Sequence, residues 1–223
     1  MDQSDLDPGL HRAALQGLKR LNSVSRSSAI LWPPIAAVAA ELYPTPLRVL
    51  DLACGSGDNS LALAKLARKK NLDMEFFGCD ISPVAISTAR QAAQTLELPA
   101  NRYFQRDILR QSLPSGFHVI MCSLFLHHLS HEDAIELMRK MATATERVLL
   151  ICDLRRTWRG MGLAWAGSRL LTNSAVVRVD AVRSVAAAFV ESEIDAISAD
   201  AGLNGCTISQ HWPQRWLLSW SKS

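Results

Sequence analysis

The feature that most constrains the fold is an apolar strand that runs into a glycine-containing loop and then into a helix. The segment Val49–Asp58 has the sequence VLDLACGSGD, with an acid inside the apolar run and small residues after it. Small residues let the backbone approach a ligand closely, and the helix that follows offers unpaired N–H groups at its start. In open α/β folds such loops lie at the carboxyl edge of the sheet, where ligands bind. The segment therefore predicts a ligand site in an α/β domain.

Strand and helix patterns alternate along the rest of the chain. The predicted strands are Leu47–Leu52, Met74–Asp80, Arg102–Gln105, Phe117–Ser123 and Arg147–Asp153. The predicted helices between these strands are Asp58–Lys70, Pro83–Leu96 and Ser130–Thr143. This alternation predicts a doubly wound, mostly parallel sheet. A helix over Glu191–Ala201 is followed by Cys206–His211 and Arg215–Trp220, which predict an antiparallel hairpin and bring the sheet to seven strands.

Two regions lie outside the alternating pattern. Apolar residues at helical spacing from Pro8 to Leu21, and a second helix with Pro33 and Pro34 in its first turn, predict an N-terminal helical cap over residues 1–45. Residues 46–223 are expected to form the Rossmann-like domain, with a lid insertion at about 154–190. Trp158 and Trp165 would give this lid an aromatic lining, or pack in its core.

Composition argues against several classes of function. The net charge of +3 is too small to imply a nucleic-acid partner. The 5 cysteines are spread singly, without Cys-x-x-Cys pairs or histidines at zinc-ligand spacing, so no metal site is expected. No signal peptide is recognised, and the apolar stretch Ala29–Tyr43 is too short to cross a bilayer. We therefore expect a cytoplasmic protein without integral membrane association, and a homodimer is compatible with the sequence.

The glycine-containing loop resembles the first motif of the class I (Rossmann-like) S-adenosylmethionine-dependent methyltransferases, an acid followed by Gly-x-Gly-x-Gly. Asp51, Ala53, Gly55 and Gly57 match it, with Ala53 in place of the first glycine. The resemblance covers Leu47–Asp153 by motifs, and the remainder by topology. Within the class, the chain is most similar to the ubiquinone/menaquinone-biosynthesis type. The resemblance implies S-adenosylmethionine as the cofactor and a small-molecule acceptor.

Acids at the ends of the second and third strands extend the resemblance. Asp80 follows the second strand, where a carboxylate can accept ribose hydroxyls, and the resemblance assigns Ile81 to the adenine face. It assigns Asp107 and Ile108 to the adenine edge, and Ser123 completes the expected cofactor-binding set. Each acid, taken alone, is also compatible with a helix cap or a turn.

Candidate catalytic residues follow the fourth strand. His127 and His128 lie beyond its end, where the family binds its acceptor, and histidine can take a proton at neutral pH. The alternative is that one histidine caps the next helix and the other packs. Asp153, at the end of the fifth strand, is expected either to contact the acceptor or to pair with Arg155 or Arg156. An aromatic, phenolic or quinone-like acceptor, methylated at oxygen or carbon, is the preferred interpretation.

Two other function classes remain open at this stage. A nicotinamide-dependent oxidoreductase would need Gly-x-Gly-x-x-Gly, whereas the loop continues Asp-Asn-Ser after Gly57. A non-catalytic S-adenosylmethionine-binding protein would carry the same cofactor motif as an enzyme. Near the N-terminus, Asn22, Ser23 and Arg26 could reach the carboxylate of the cofactor or could cap a helix end.

Overall fold

The computed structural model describes residues 26–172 and 174–222. Its seven-stranded sheet has the order β3-β2-β1-β4-β5-β7-β6. The strands are β1 Leu47–Leu52, β2 Met74–Asp80, β3 Tyr103–Gln105, β4 Phe117–Ser123, β5 Thr145–Leu154, β6 Thr207–His211 and β7 Arg215–Ser221. Strands β1 to β5 pair in parallel, while β7 pairs antiparallel with both β5 and β6. The predicted doubly wound sheet and its C-terminal hairpin are therefore confirmed.

Seven helices accompany the sheet in the described ranges, and the first four and the last of them pack on its faces. They are α1 Ser27–Leu42, α2 Asp58–Lys69, α3 Pro83–Thr95, α4 His131–Ala144, α5 Trp158–Leu171, α6 Ala175–Ala187 and α7 Glu191–Asp200. The central strands are apolar on both sides, as a sheet covered on both faces requires. Val49 packs in the core cluster that contains α1 and α2, whereas the next residue, Leu50, packs in the cluster that contains α4 and α7.

The first described helix differs from the sequence prediction. Helix α1 begins at Ser27, so Pro33 and Pro34 lie inside it and not in its first turn. Proline in a helix interior removes backbone hydrogen bonds. Burial of one helix face against the sheet, including Leu31 and Ile35, offsets this loss. The predicted helix over Pro8–Leu21 lies outside the described residues.

The segment expected to form a lid, at about residues 154–190, contains α5 and α6, which pack against each other. Helix α6 also contacts the 3₁₀ turn Leu126–His128 that follows β4. The aromatic lining expected from Trp158 and Trp165 is not observed, because both side chains are exposed, at 74% and 54%. None of the helices in the described ranges has the length and apolar character needed to cross a bilayer.

Candidate active site

The loop after β1 is held in a left-handed backbone conformation that brings its glycines to the carboxyl edge of the sheet. Ala53, Gly55 and Gly57 have φ of 50°, 54° and 76°. A Cβ added at Gly57 would lie 3.0 Å from the Tyr103 ring, whereas one added at Gly55 would meet nothing within 4 Å. Gly57 is therefore required for close packing, and Gly55 leaves free space beside the loop. Ala53 adopts a conformation that costs an L-residue roughly 1–2 kcal/mol.

Asp51 is a buried carboxylate at the end of β1. The residue is only 1% exposed, and in the described ranges no donor reaches either of its oxygens with full hydrogen-bond geometry. Burial raises its pKa to about 8; the weaker polar contact with the hydroxyl and N–H of Ser60 lowers this pKa, and the charges of Asp80 and Asp58 raise it further. A buried carboxylate without a partner is costly. The site therefore favours a ligand that supplies a positive charge.

Asp80 fixes the loop through backbone hydrogen bonds. Its Oδ2 accepts from the Gly55 N–H at 2.8 Å, and its Oδ1 accepts from the Ser82 N–H at 2.9 Å. Each carboxylate oxygen keeps further acceptor capacity for a ligand hydroxyl. The next residue, Ile81, has an exposed side chain although it is large and apolar. Asp51, Gly55, Asp80 and Ile81 thus lie together at one end of the sheet.

The predicted adenine-edge residues have additional structural roles. Asp107 Oδ1 accepts from the N–H groups of Leu109 at 3.0 Å and Arg110 at 3.1 Å, so it caps a turn. Ile108 is buried, and its side chain packs in the core cluster with Leu50. The Ile108 side chain therefore faces the core, and only the backbone at this position is left to contact a ligand.

Ser123 pairs with a residue that sequence reasoning missed. The Asn59 Nδ2 atom donates to Ser123 Oγ at 2.6 Å, joining the first turn of α2 to the end of β4. Ser123 is buried, and Leu124 after it has φ of 54°. The one signal for Asn59 was an amide side chain two residues after Gly57, in the helix turn that faces the loop.

His127 and Asp153 form a buried pair at the ends of β4 and β5. Their Nδ1 and Oδ1 atoms are 2.7 Å apart, and the His127 backbone N–H donates to Asp153 Oδ2 at 3.2 Å. Burial is the largest influence on the pKa of Asp153 and would raise it. The charge and hydrogen bonds of His127, with the Leu154 N–H, outweigh burial and lower that pKa. Asp153 therefore stays ionised at neutral pH.

The other expectations for this edge are resolved by the same contacts. Asp153 forms its ion pair with His127 and not with Arg155 or Arg156. Arg156 instead bonds to Glu193 at 2.6 Å. Neither histidine caps α4, because Ser130 Oγ accepts from the Asp133 N–H.

His127 is buried, whereas His128 is exposed and its ring lies against that of His127, with centroids 4.2 Å apart. Arg26 precedes α1 with an exposed side chain, and Asn22 and Ser23 lie outside the described residues. The described ranges hold no group of three or more His, Cys, Asp and Glu side chains placed to bind a metal ion.

The fold and the loop define a Rossmann-like domain with a ligand site at the carboxyl edge of its parallel strands. Residues 49–147 match the family described as a methyltransferase domain. The motif, the strand order and this match agree. Residues 49–147 are therefore similar to a methyltransferase domain, in agreement with the sequence resemblance to the class I S-adenosylmethionine-dependent methyltransferases.

Known proteins similar to this chain include both small-molecule and RNA methyltransferases. Demethylmenaquinone methyltransferase of Deinococcus radiodurans is 30% identical over 118 residues, which are 52% of this chain and 47% of that protein. The tRNA 5-carboxymethoxyuridine methyltransferase of Escherichia coli K12 is 36% identical over 76 residues, 34% of this chain and 27% of that protein. The chain thus spans about half or less of the length of these curated relatives.

A solved structure shows a similar fold. It is an O-methyltransferase family 2 protein from Planctomyces limnophilus in complex with apigenin, with a TM-score of 0.68 and 17% identity. The similarity covers 100% of this chain and 64% of that one.

Proposed function

We propose that this protein is an enzyme that transfers the methyl group of S-adenosylmethionine to a hydroxyl group of a small phenolic or quinol-like molecule. The observation that carries the proposal is the buried, unpartnered Asp51 carboxylate beside the open space at Gly55. A cationic amino-acid group would favour the ionised form of that carboxyl and pair with it, whereas the pyrophosphate of a dinucleotide would gain nothing from either of its forms.

The residues at the ends of β1 and β2 suit the separate parts of this cofactor, and we call them the cofactor half of the site. Asp51 would hold the ammonium group, Asp80 the ribose hydroxyls, and the exposed Ile81 one face of the adenine. When bound, S-adenosylmethionine supplies a methyl group that its sulfonium already activates. The work left to the protein is to align the acceptor and, for a hydroxyl acceptor, to remove its proton.

The residues at the ends of β4 and β5, which we call the acceptor half, provide a base for that proton. The hydrogen bond to Asp153 engages Nδ1 of His127, so Nε2 is the nitrogen that remains to accept a proton. The ionised Asp153 would stabilise the imidazolium that forms. His127 is therefore favoured as the base, because its ring is bonded to the ionised Asp153 carboxylate.

The similarities support the class of acceptor. The Deinococcus relative is named for a quinone-type substrate, and the Planctomyces structure contains the flavonoid apigenin. Both are aromatic molecules with oxygen substituents. The net charge of +3 gives no support for a nucleic-acid acceptor such as that of the Escherichia coli relative.

The proposal is tested first by calorimetry and then by a methyl-transfer assay. We expect saturable binding of S-adenosylmethionine and S-adenosylhomocysteine, and none of NAD. With radiolabelled cofactor, a panel of hydroquinones, naphthols and flavonoids should include methylated products, whereas a tRNA pool should not. Binding of NAD without a response to S-adenosylhomocysteine would contradict the cofactor proposal. Cofactor binding with label transferred only to tRNA would contradict the acceptor proposal.

A further inference from the structure

Arg215 places a partly buried guanidinium group at the carboxyl edge of the sheet. It begins β7, which runs antiparallel to β5, so the start of β7 lies beside the end of β5. In the pairing register Arg215 stands opposite Leu154, the residue after Asp153. The guanidinium therefore lies at the same edge as the buried pair of His127 and Asp153.

The hydrogen bonds of this guanidinium are few and long. Its Nε atom is buried and has no hydrogen-bonding partner in the described ranges. Its Nη1 atom donates to the backbone oxygens of Pro213 at 3.3 Å and Gln214 at 3.4 Å, whereas an N–H···O bond usually measures about 2.9–3.0 Å. No carboxylate forms an ion pair with Arg215 in the part of the chain that the structure describes.

The protein also compensates the charge of Arg215 incompletely. Burial lowers the pKa of Arg215, whereas the nearby Cys152 and Asp153 raise it by less. Burial raises the pKa of Cys152 to about 12, so that thiol is neutral and Asp153 is the ionised group of the two. Asp153 is already bonded to His127. Because a guanidinium stays charged at ordinary pH, the site favours an anionic ligand.

The face of the sheet on which Arg215 lies is the one covered by α1. Cys152 and Leu217 pack in the core cluster that contains α1, and side chains two positions apart on a strand share a face, so Arg215 lies on the face of Leu217. The side chain of Ser27, the first residue of α1, hydrogen bonds to Cys152. Arg215 thus lies near the end of β5 and the start of α1, and part of the residue is accessible to solvent.

The turn that carries Arg215 is fixed to the segment after β5. The Arg155 N–H donates to the Gln214 backbone oxygen at 3.1 Å, and Thr157 Oγ1 donates to Gln214 Oε1 at 2.7 Å. A cation held in place in this way is positioned before a ligand arrives. Less ordering is then needed on binding, which favours affinity.

We propose that Arg215 binds a carboxylate group of the methyl acceptor, so that the preferred acceptors are hydroxyaryl carboxylates and not neutral phenols. The inference rests on the proposed function, because it assigns a substituent to the acceptor of that reaction. A guanidinium presents parallel N–H groups that match the two oxygens of a carboxylate. A doubly charged phosphate fits less well, since the ionised Asp153 nearby repels it more strongly.

Ligand discrimination by the full chain, loaded with S-adenosylhomocysteine, tests the proposal. Calorimetry compares isomeric hydroxynaphthoates, each with its methyl ester, and also 2-naphthoate, which has no hydroxyl. We expect at least one hydroxynaphthoate to bind about 10- to 100-fold more tightly than its ester, the range of a hydrogen bond to a charged group. Arg215→Gln should reduce the affinity for the acid to that for the ester and leave the ester unchanged. Arg215→Lys should keep part of the preference, because it retains the charge without the planar fork.

Arg155→Gln is the matched control, since Arg155 is also partly exposed at this edge and should not affect the preference. Thermal melts check that the variants are folded, and if Arg215→Gln is not, the parent protein and Arg215→Lys decide. In turnover, Arg215→Gln should raise KM for the acids with kcat little changed.

Three outcomes would overturn the proposal: equal affinity of the parent protein for acids and esters, loss of the preference in Arg155→Gln but not in Arg215→Gln, or a preference for naphthyl phosphate over naphthoate. Failure of the proposed reaction is distinguishable from these outcomes. Binding of 2-naphthoate that depends on Arg215, without methyl transfer to any hydroxynaphthoate, would leave the anion site and contradict the reaction. Methyl transfer to neutral naphthols without any preference for acids would leave the reaction and contradict the anion site.

Discussion

The cofactor half and the acceptor half of the site are held together by different kinds of contact. In the cofactor half, Asp80 bonds to the backbone N–H groups of Gly55 and Ser82. In the acceptor half, Asp153 also accepts from the backbone N–H groups of His127 and Leu154. Two side-chain pairs are added there and at its border, with His127 on Asp153 and Asn59 on Ser123. A contact to the backbone depends on the identity of one side chain, whereas a side-chain pair depends on two. The cofactor half is therefore the more tolerant of sequence change around it.

The two halves also differ in how their buried carboxylates are compensated. Asp51 has no hydrogen-bonding partner among the described residues, and burial raises its pKa to about 8. Asp153 is equally buried, but His127 and backbone N–H groups lower its pKa. Protonation compensates Asp51 in the free protein, and the proposed cationic ligand would replace that proton, whereas Asp153 is compensated by its neighbours. Stability and ligand affinity of the cofactor half should therefore depend on ligand and pH. Function of the acceptor half should depend most on substitution of its paired side chains.

Replacing the base of the acceptor half should have the largest effect. We expect His127→Gln to lower turnover about 10²–10⁴-fold, because a positioned base contributes that much to proton removal. Cofactor affinity, measured by calorimetry, should be almost unchanged. His128→Gln is the matched control, since this neighbouring histidine is exposed whereas His127 is buried.

The pH profile separates a chemical role from a structural role. The residual rate of His127→Gln should recover as pH approaches the pKa of the acceptor, about 10 for a phenol. If both histidine variants keep full rate and an unchanged profile, no base is used and alignment alone remains as the mechanism.

Removing the Asp80 carboxylate, which we propose binds the ribose, should have the next largest effect, now in the cofactor half. Asp80→Ala should weaken S-adenosylhomocysteine binding by about 1.5–3 kcal/mol, the scale of hydrogen bonds to a charged group. Calorimetry at constant pH provides the measurement. Asp107→Ala is a suitable comparison, because that carboxylate caps a turn and should affect binding less. Equal affinity of Asp80→Ala and the parent protein would remove Asp80 from the ribose site.

The difference between the halves also explains what could be predicted from sequence. The strands, their order in the chain and the glycine loop are encoded by local patterns, and the sheet was confirmed with shifts of a few residues at strand ends. Asp51 and Asp80 were recognised because each lies at a strand end beside a motif. The pairs His127–Asp153 and Asn59–Ser123 join residues 26 and 64 positions apart, and no local pattern records which side chains meet.

Helix α5 shows a second limit of sequence patterns, which is that they do not tell which side of a helix is packed. The spacing of Trp158 and Trp165 predicted core or pocket packing, but periodicity reports only that residues share a helix face. The small residues Gly160, Ala164 and Ser168 turned out to form the packed side of the helix. Likewise, Pro33 and Pro34 indicated a helix start, and tertiary burial of α1 overrode that signal.

Asp51 should make the cofactor half sensitive to pH. Its pKa is about 8 in the folded protein against an ordinary value of 3.8, so the folded state binds more protons than the unfolded state between these values. The free energy of unfolding of the ligand-free protein should therefore fall as pH rises from 5 to 8, because the folded state must give up a proton that the unfolded state has already lost. A cationic ligand favours the ionised carboxylate, so its affinity should rise with pH, by at most about tenfold per pH unit.

Two measurements check this pH dependence. Calorimetry below about pH 7.5, where an α-amino group is still cationic, should show proton release on binding. Thermal melts should show the opposite trend for the ligand-free protein. Asp51→Asn is the control, and it should flatten both profiles while weakening binding. An affinity that is independent of pH in the parent protein would exclude a cation beside Asp51.

The smallest expected effect concerns the hydrogen bond that joins the two halves. Asn59 lies in the first turn of α2, after the cofactor loop, and its partner Ser123 ends β4, before the histidine turn. A single neutral hydrogen bond contributes about 0.5–1.5 kcal/mol to folding. We expect Asn59→Ala and Ser123→Ala each to lower the free energy of unfolding by about this amount. The double variant should lose little more than either single variant, since the second replacement removes a group that has already lost its partner. Urea unfolding of the four proteins measures this coupling.

The same cycle applied to turnover sharpens the comparison: a coupling in turnover, with cofactor affinity unchanged, would mean that the bond aligns the acceptor half against the cofactor half. Additive losses in both measurements would show that the two halves are positioned independently by the strands that carry them.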